Sequence, residues 1–195
     1  MRTFVLATAN PHKAVELRAV LEDLGVAVLA RPRDVAEVDE TSDTLEGNAL
    51  LKARALVEAT GVAALADDTG LFVDALEGRP GVRSARYAGE GASDADNVEL
   101  LLSELVNVHL DERGARFVTV IAVAYPDGSS TVVRGELEGV IDHHPRGSHG
   151  FGYDPVFVPR GSGGRTLAQM DPEEKNTISH RSRAVRNLVA ALSNS

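Results

Sequence analysis

Two long segments of alternating side chains, separated by a short turn, most constrain what this chain can fold into. Residues 115–125 and 130–141 follow the two-residue period of β-strands, and Pro126-Asp127-Gly128 lies between them. The pattern predicts a hairpin of two long strands. Apolar residues in helical spacing over 13–24 predict a helix that packs against a sheet. The chain is therefore expected to form an α/β fold.

The other predicted elements alternate between short strands and helices with recognisable ends. Ser93 is a good N-cap, and Asp171 followed by Pro172 is a strong helix start. Asp43 with Glu46 resembles a capping box. In chain order, these elements are strands 3–8 and 26–30, a helix that ends at Thr60, a strand over 62–65, helices over 93–106 and from 171, and a final helix from Ser179.

The composition limits the classes of function open to this chain. It has 195 residues, of which 43% are hydrophobic, enough for one substantial domain or two closely associated lobes. The absence of cysteine excludes disulfides, cysteine-ligated zinc and thiol catalysis. A net charge of −9 argues against binding to nucleic acid or to an anionic membrane. No apolar run is long enough for a membrane span or a signal peptide, and we expect a cytoplasmic location.

Two adjacent carboxylates, Asp67 and Asp68, follow the short apolar strand 62–65. We expect the strand to end at a turn around Gly70, so that both side chains are held rigidly at its end. Rigid carboxylates suit Mg²⁺, which takes one or two protein carboxylates together with phosphate oxygens. They equally suit a general base that activates a water. A solvated turn with no chemical role is the alternative that this pair alone leaves open.

Lys13 lies where a predicted strand, a polar turn and a helix meet. A helix N-terminus and a lysine side chain both attract phosphate. The glycines of a Walker A loop are missing, so an ordinary connection remains the alternative. Further along, Glu40 precedes a helix on which Asn48 and Lys52 are one turn apart and therefore share a face.

Two loops and one helix start are the remaining candidates. Residues 77–91 are rich in glycine and arginine, have no predicted structure, and carry side chains typical of interfaces. Residues 143–155 contain three histidines whose spacing does not favour zinc, whereas the glycines around Phe151 indicate a loop that closes an aromatic ring over a flat ligand. His180 and Arg181 oppose the dipole of the last helix, which favours a functional role over a solvated basic face.

Seven motifs occur in order along nearly the whole chain, and together they are far more specific than any one of them. They are TANPHK (8–13), ET (40–41), EGNA with KA (46–49 and 52–53), ADDTG (66–70), PGVRSARY (80–87), FGYDP (151–155), and KN before SHR (175–176 and 179–181). On these motifs the chain resembles the inosine/xanthosine triphosphate pyrophosphatases. These house-cleaning enzymes hydrolyse non-canonical purine nucleoside triphosphates and so keep deaminated purines out of nucleic acids.

The resemblance implies an α/β fold with a long, bent mixed sheet flanked by helices, in two lobes around a central substrate cleft. It also implies a single domain over residues 1–195, a homodimer, and Mg²⁺-dependent hydrolysis of ITP, dITP or XTP to the nucleoside monophosphate and pyrophosphate. Glu40 and Asp68 would bind Mg²⁺, at least one ion per subunit, and Asp68 would also be the catalytic base. The residues implied to contact substrate are Thr8, Ala9, Asn10, Pro11, His12, Lys13, Thr69, Phe151, Gly152, Tyr153, Asp154, Lys175, His180 and Arg181.

Two other functions remain open beside this one. A related nucleotide pyrophosphatase could prefer another modified base, although the FGYDP and SHR motifs favour a purine. A non-catalytic nucleotide sensor could keep the pocket without turnover, but the intact acidic residues argue against it. Because Arg181 can only donate hydrogen bonds and His180 donates from at least one nitrogen, we expect a 6-oxopurine to be preferred over adenine.

Overall fold

Seven β-strands and five α-helices form the part of the chain that this computed structural model describes, residues 3–8, 10–32, 35–36 and 38–193. The α/β class expected from the sequence is confirmed. The strands are β1 (Thr3–Leu6), β2 (Ala27–Leu29), β3 (Ala64–Val73), β4 (Pro80–Gly81), β5 (Gly114–Ala124), β6 (Ser130–Ile141) and β7 (Phe157–Pro159). The helices are α1 (Pro11–Asp23), α2 (Leu45–Thr60), α3 (Asp94–Glu104), α4 (Pro172–Ile178) and α5 (His180–Ser193).

The strands form one mixed sheet in the order β2-β1-β3-β5-β6-β7, with β4 paired to β3 off this path. β1 is parallel to both β2 and β3, whereas β4 is antiparallel to β3 and β7 is antiparallel to β6. The two long segments recognised in the sequence are β5 and β6, neighbours in the sheet that are joined by a tight turn at residues 125–129. The predicted hairpin is therefore confirmed.

The chain divides into two compact units. Unit 1 comprises Met1–Asp68, Thr119–Gly135 and His180–Ser195, and unit 2 comprises Thr69–Val118 and Glu136–Ser179. Each unit has its own hydrophobic core, built in unit 1 mainly from β1, α1, β5 and α5, and in unit 2 mainly from β3, α3, β5 and β6. In the described ranges, no helix is long and apolar enough to cross a membrane.

The first helix begins two residues earlier than predicted, at Pro11. Asn10 is its N-cap, and its side-chain oxygen accepts hydrogen bonds from the backbone N–H groups of His12 (2.9 Å) and Lys13 (3.2 Å). Proline at the first helical position fits this start, because its backbone has no N–H to satisfy. The polar turn of the sequence analysis is therefore already the first turn of α1.

The acidic pair does not end a strand as predicted. β3 continues through Asp67 and Asp68 to Val73, and the turn expected at Gly70 does not occur. Gly70 is needed for a different reason, since a Cβ there would lie 2.5 Å from the carbonyl oxygen of Gly81 in the paired strand β4. Glycine in a strand often marks such a close approach of two backbones, and a pairing with a later segment is not visible in the local pattern.

Two other local predictions need correction. Residues 77–91 are not structureless, because they contain β4 and a 3₁₀ turn at Ser84–Arg86. The N-cap of α2 is Thr44, whose side chain accepts from the backbone N–H of Gly47, rather than a capping box at Asp43. The caps predicted for α3 and α4 are confirmed.

Candidate functional site

One lysine and two carboxylates come together in unit 1. The Nζ of Lys52, on α2, lies 3.0 Å from Glu40 Oε1 and 2.9 Å from Asp68 Oδ1. The side chain of Asp68 is only 6% exposed and that of Lys52 only 17%. Such low exposure reduces screening by water and strengthens their attraction. The two carboxylates implied as metal ligands therefore converge on one cationic group.

Asn48 fixes the geometry of this cluster from the same helix. It is fully buried, and its Nδ2 donates to Asp68 Oδ2 at 3.4 Å. Its side-chain oxygen accepts the backbone N–H of Ser42 at 2.9 Å, in the segment that follows Glu40. Asn48 and Lys52 are four residues apart on α2, and both contact Asp68, which confirms the shared face predicted from the sequence.

Asp67 is held by a different set of cations. Successive side chains of a strand point to opposite faces, and Asp67 Oδ2 lies 3.4 Å from Lys13 Nζ and 4.0 Å from Arg181 Nε. Arg181 also forms an ion pair with Glu16. The first turns of α1 and α5 thus both supply positive charge to a carboxylate that is excluded from water. Asp67 consequently anchors the two helices to β3.

Burial acts to raise the pKa of Asp67, but the surrounding lysine and arginine charges outweigh it, and the pKa lies below its usual value. Burial raises the pKa of Asp68, and the Glu40 carboxylate adds to this against the opposing charge of Lys52. Burial alone would lower the pKa of Lys52, but the neighbouring carboxylates outweigh it and raise the pKa. Two adjacent carboxyls with pKa values shifted in opposite directions are typical of a division of roles in a catalytic site.

The donor set suits Mg²⁺ better than a structural transition metal. Glu40 and Asp68 place carboxylate oxygens around one point, where the Lys52 ammonium now lies. Within the described residues, no group of three or more His, Cys, Asp or Glu side chains could hold a metal. Mg²⁺ needs no such cage, because it is bound through one or two carboxylates together with waters and substrate phosphates. The residues present therefore fit a magnesium ion.

The predicted phosphate-binding turn is partly satisfied by its own side chains. Thr8 Oγ1 accepts from the backbone N–H of Asn10 at 3.3 Å, and the side-chain oxygen of Asn10 accepts the backbone N–H groups of His12 and Lys13. The attraction for phosphate expected at this helix N-terminus thus depends mainly on the ammonium of Lys13. Ala9 lies outside the described residues.

A second cluster lies entirely in unit 2, around the loop that carries Phe151. Asp154 accepts the backbone N–H of Phe151 at 2.9 Å and pairs with Lys175 Nζ at 2.6 Å. Both charged side chains are about 95% buried. The Lys175 ammonium also lies 5.0 Å from the centre of the Phe151 ring, within the range of a cation–π contact. A buried ion pair therefore helps to position the ring of Phe151.

The other predicted contacts have separate environments. Tyr153 is 4% exposed, and its hydroxyl donates to the carbonyl of Ser84 at 2.9 Å inside unit 2, so it serves the core. Thr69 follows Asp68 directly in β3, and His180, 2% exposed, begins α5. The residues of the implied site thus fall into a charged set in unit 1 and an aromatic set in unit 2.

Glu16 contacts the candidate site, and the sequence analysis missed it. It lies three positions after Lys13 on α1, a spacing that places both on one face, and it pairs with Arg181. The helical spacing was the available signal. Its partner, however, is 165 residues away along the chain, and no local pattern reveals that contact.

Comparisons with known proteins find relatives that match nearly the whole chain. A profile of the Ham1 family matches residues 4–191. The chain is 49% identical over 194 residues to the dITP/XTP pyrophosphatase of Streptomyces avermitilis, covering 97% of this chain and 96% of the relative. The structure of this chain is similar to that of a HAM1 protein from Coxiella burnetii, with a TM-score of 0.89, 40% identity and complete coverage of both chains. It is also similar to a dITP/XTP pyrophosphatase structure from Mycobacterium abscessus, with a TM-score of 0.78 and 46% identity over 97% of this chain and 99% of that one.

Proposed function

Because the chain belongs to the Ham1 family, we propose that it hydrolyses non-canonical purine nucleoside triphosphates (ITP, dITP and XTP) to the monophosphate and pyrophosphate, with Mg²⁺ as cofactor. The observation that carries this proposal is the convergence of Glu40, Asp68 and Lys52 in unit 1. The relatives are dITP/XTP pyrophosphatases that match over nearly their whole length, which supports the choice of substrate.

Asp68 is the proposed general base. Its carboxylate is held by Lys52 and Asn48, so it is oriented before any substrate binds. Attack of water at the α-phosphorus needs charge neutralisation more than covalent chemistry. Bound Mg²⁺ would supply part of that neutralisation at Glu40 and Asp68. Lys13 and Lys52 contribute positive charge on the protein side, while Asp67, held ionised by its cations, maintains the position of Lys13.

Recognition of the purine base is assigned to three side chains. Phe151 stacks on a purine ring, which adds affinity without selecting among purines. His180 and Arg181 present donors to the 6-oxygen of hypoxanthine or xanthine and oppose the 6-amino group of adenine. Lys175, which lies under the Phe151 ring and pairs with Asp154, is assigned to this aromatic set rather than to the phosphates.

The test is a pyrophosphate-release assay with ITP, dITP, XTP, GTP and ATP, with and without Mg²⁺. We expect the first three to be hydrolysed faster than GTP and ATP, and activity to disappear with excess EDTA. Calorimetry with Mg²⁺ alone gives a second readout, in which Glu40→Gln and Asp68→Asn weaken binding. Full activity in excess EDTA, or equal rates for all five nucleotides, would contradict the proposal. Tight ITP binding without pyrophosphate release would instead favour the non-catalytic sensor.

The state of the protein in the cell is a further part of the proposal. We propose a single two-lobed domain that forms a homodimer and acts in the cytoplasm. Arg83 is exposed in segment 77–91 and can contribute to an interface, whereas Tyr87 and Arg79 contact Glu104 of their own chain. Light scattering that gives a mass near 20.6 kDa at micromolar concentration would exclude the dimer.

A further inference from the structure

A pocket of about 510 Å³ lies in unit 2 behind the loop that carries Phe151. One wall is α3, with Ala95, Val98 and Leu102, and the other is the loop itself, with Pro145 and Pro155. Because the space between these walls is open, packing does not hold the loop against the helix on this side. A polar contact that spans the pocket therefore restrains the loop where packing does not.

One such contact joins the two walls. The carboxylate of Asp94, in the first turn of α3, accepts the backbone N–H of Gly152 at 2.7 Å. The preceding amide, that of Phe151, donates to the buried carboxylate of Asp154 at 2.9 Å. Two consecutive backbone N–H groups are therefore bound by two different carboxylates, one beneath the loop and one on α3. Gly152 has φ of +60°, which glycine adopts without strain.

We propose that Asp94 is a positioning residue for substrate recognition, which acts by fixing the orientation of the Phe151 ring through the amide of Gly152. The inference rests on the proposed function, in which Phe151 stacks on the purine. Two amides that flank the Cα of Phe151 on either side determine the direction in which its side chain leaves the backbone. Without the Asp94 contact, the peptide between Phe151 and Gly152 keeps only its carbonyl restraint, a hydrogen bond from the backbone N–H of Asp154 at 3.2 Å, and the ring loses part of its preorganisation.

Substitution of Asp94 should affect binding of the base and leave the start of α3 intact. Ser93 remains the N-cap, and the reciprocal bonds between Ser93 and Asp96 do not involve Asp94. We expect Asp94→Ala to raise KM for ITP about fivefold, the scale of one exposed hydrogen bond to a charged group, with kcat nearly unchanged. Asp94→Asn keeps an acceptor oxygen and should recover most of the wild-type KM.

The experiment measures KM and kcat for ITP and the inhibition constant of inorganic pyrophosphate, which probes the phosphate end alone. The variants are Asp94→Ala, Asp94→Asn, Phe151→Ala and the Asp94→Ala/Phe151→Ala double variant. We expect Asp94→Ala to change KM for ITP without changing inhibition by pyrophosphate, and to have no further effect once Phe151 is absent. Glu99→Ala is the matched control, because it removes another carboxylate from the same wall of the pocket, and it should leave KM unchanged.

The outcomes separate this inference from the function on which it rests. If the wild-type protein does not hydrolyse ITP, the proposed function fails. If Phe151→Ala raises KM for ITP but Asp94→Ala does not, Asp94 has no positioning role. An effect of Asp94→Ala that persists in the Phe151→Ala background, or one that equally weakens pyrophosphate inhibition, would also overturn the inference, because it would not act through the ring.

Discussion

The charged cluster of unit 1 and the aromatic loop of unit 2 are held in different ways. In unit 1, Lys52 and Asp68 project from a helix and a strand, and their positions follow from the regular backbone of α2 and β3. In unit 2, Phe151 lies on a loop whose amides are bound by carboxylates. The groups proposed to perform chemistry are located on rigid elements, and the group proposed to recognise a purine base lies on a loop that needs separate restraints.

The largest effect expected is on turnover in the charged cluster. Asp68→Asn keeps the shape of the side chain and can still accept from Lys52, so the protein should fold. Loss of the general base should lower kcat for ITP about 10²- to 10⁴-fold. Steady-state kinetics beside a thermal unfolding curve separate the two effects. Near-wild-type turnover would move the base elsewhere, with Asp67 as the next candidate, and would break the assignment of chemistry to this cluster.

The second prediction tests how strongly the loop depends on its buried ion pair. Lys175→Met leaves the carboxylate of Asp154 buried without its cation and should lower the free energy of unfolding by about 3–5 kcal/mol in urea titrations. Arg116→Met is the control, since its ion pair with Asp74 is largely exposed and should contribute less than about 1 kcal/mol. Equal losses of unfolding free energy in the two variants would show that burial does not determine the contribution of the Lys175–Asp154 ion pair.

A third prediction concerns selectivity and sharpens the role of the charged cluster. Arg181→Ala should lower kcat/KM for ITP far more than for ATP and so narrow the ITP/ATP ratio about tenfold or more, because a lost donor penalises only the 6-oxopurine. Arg183→Ala, two residues further along α5 and exposed, should leave the ratio unchanged. If Arg181→Ala keeps the wild-type ratio of kcat/KM for ITP to that for ATP, other residues recognise the purine base. Unit 1 would then contribute to the chemical step and not to base recognition.

The smallest expected effect is on the pH dependence of stability at Tyr87, which lies outside both clusters. Burial and the bond to Glu104 raise the pKa of Tyr87 to about 12. The protonated Tyr87 hydroxyl therefore stabilises the folded protein fully below the ordinary tyrosine pKa of about 10. This contribution to the free energy of unfolding is lost as the pH rises towards about 12. Tyr87→Phe should remove this part of the alkaline loss, less than about 1 kcal/mol after solvent screening. Unfolding measured at neutral and alkaline pH checks the change, and an identical pH dependence in the variant would contradict it.

Local features of the sequence predicted well where a single element decides the outcome. The alternation over 115–141 predicted β5 and β6, and Ser93 and Asp171 predicted helix starts, because a cap and its partner amides lie within three residues. The shared face of Asn48 and Lys52 followed from helical spacing in the same way. The prediction failed at Gly70, where a glycine that permits close pairing with β4 resembled a turn.

What the sequence by itself determined is most of the elements, their order and the residue types available for chemistry, since periodicity and capping act over a few residues. The tertiary structure decided which of those residues meet. Asp67 and Asp68 are adjacent in sequence, yet one is bound by Lys13 and Arg181 and the other by Lys52, because neighbouring side chains of a strand face opposite ways. Their pKa values shift in opposite directions because the lysine and arginine charges outweigh burial at Asp67, whereas burial and Glu40 outweigh Lys52 at Asp68. One of these partners, Arg181, lies more than a hundred residues from Asp67 along the chain, so no local pattern reveals the contact.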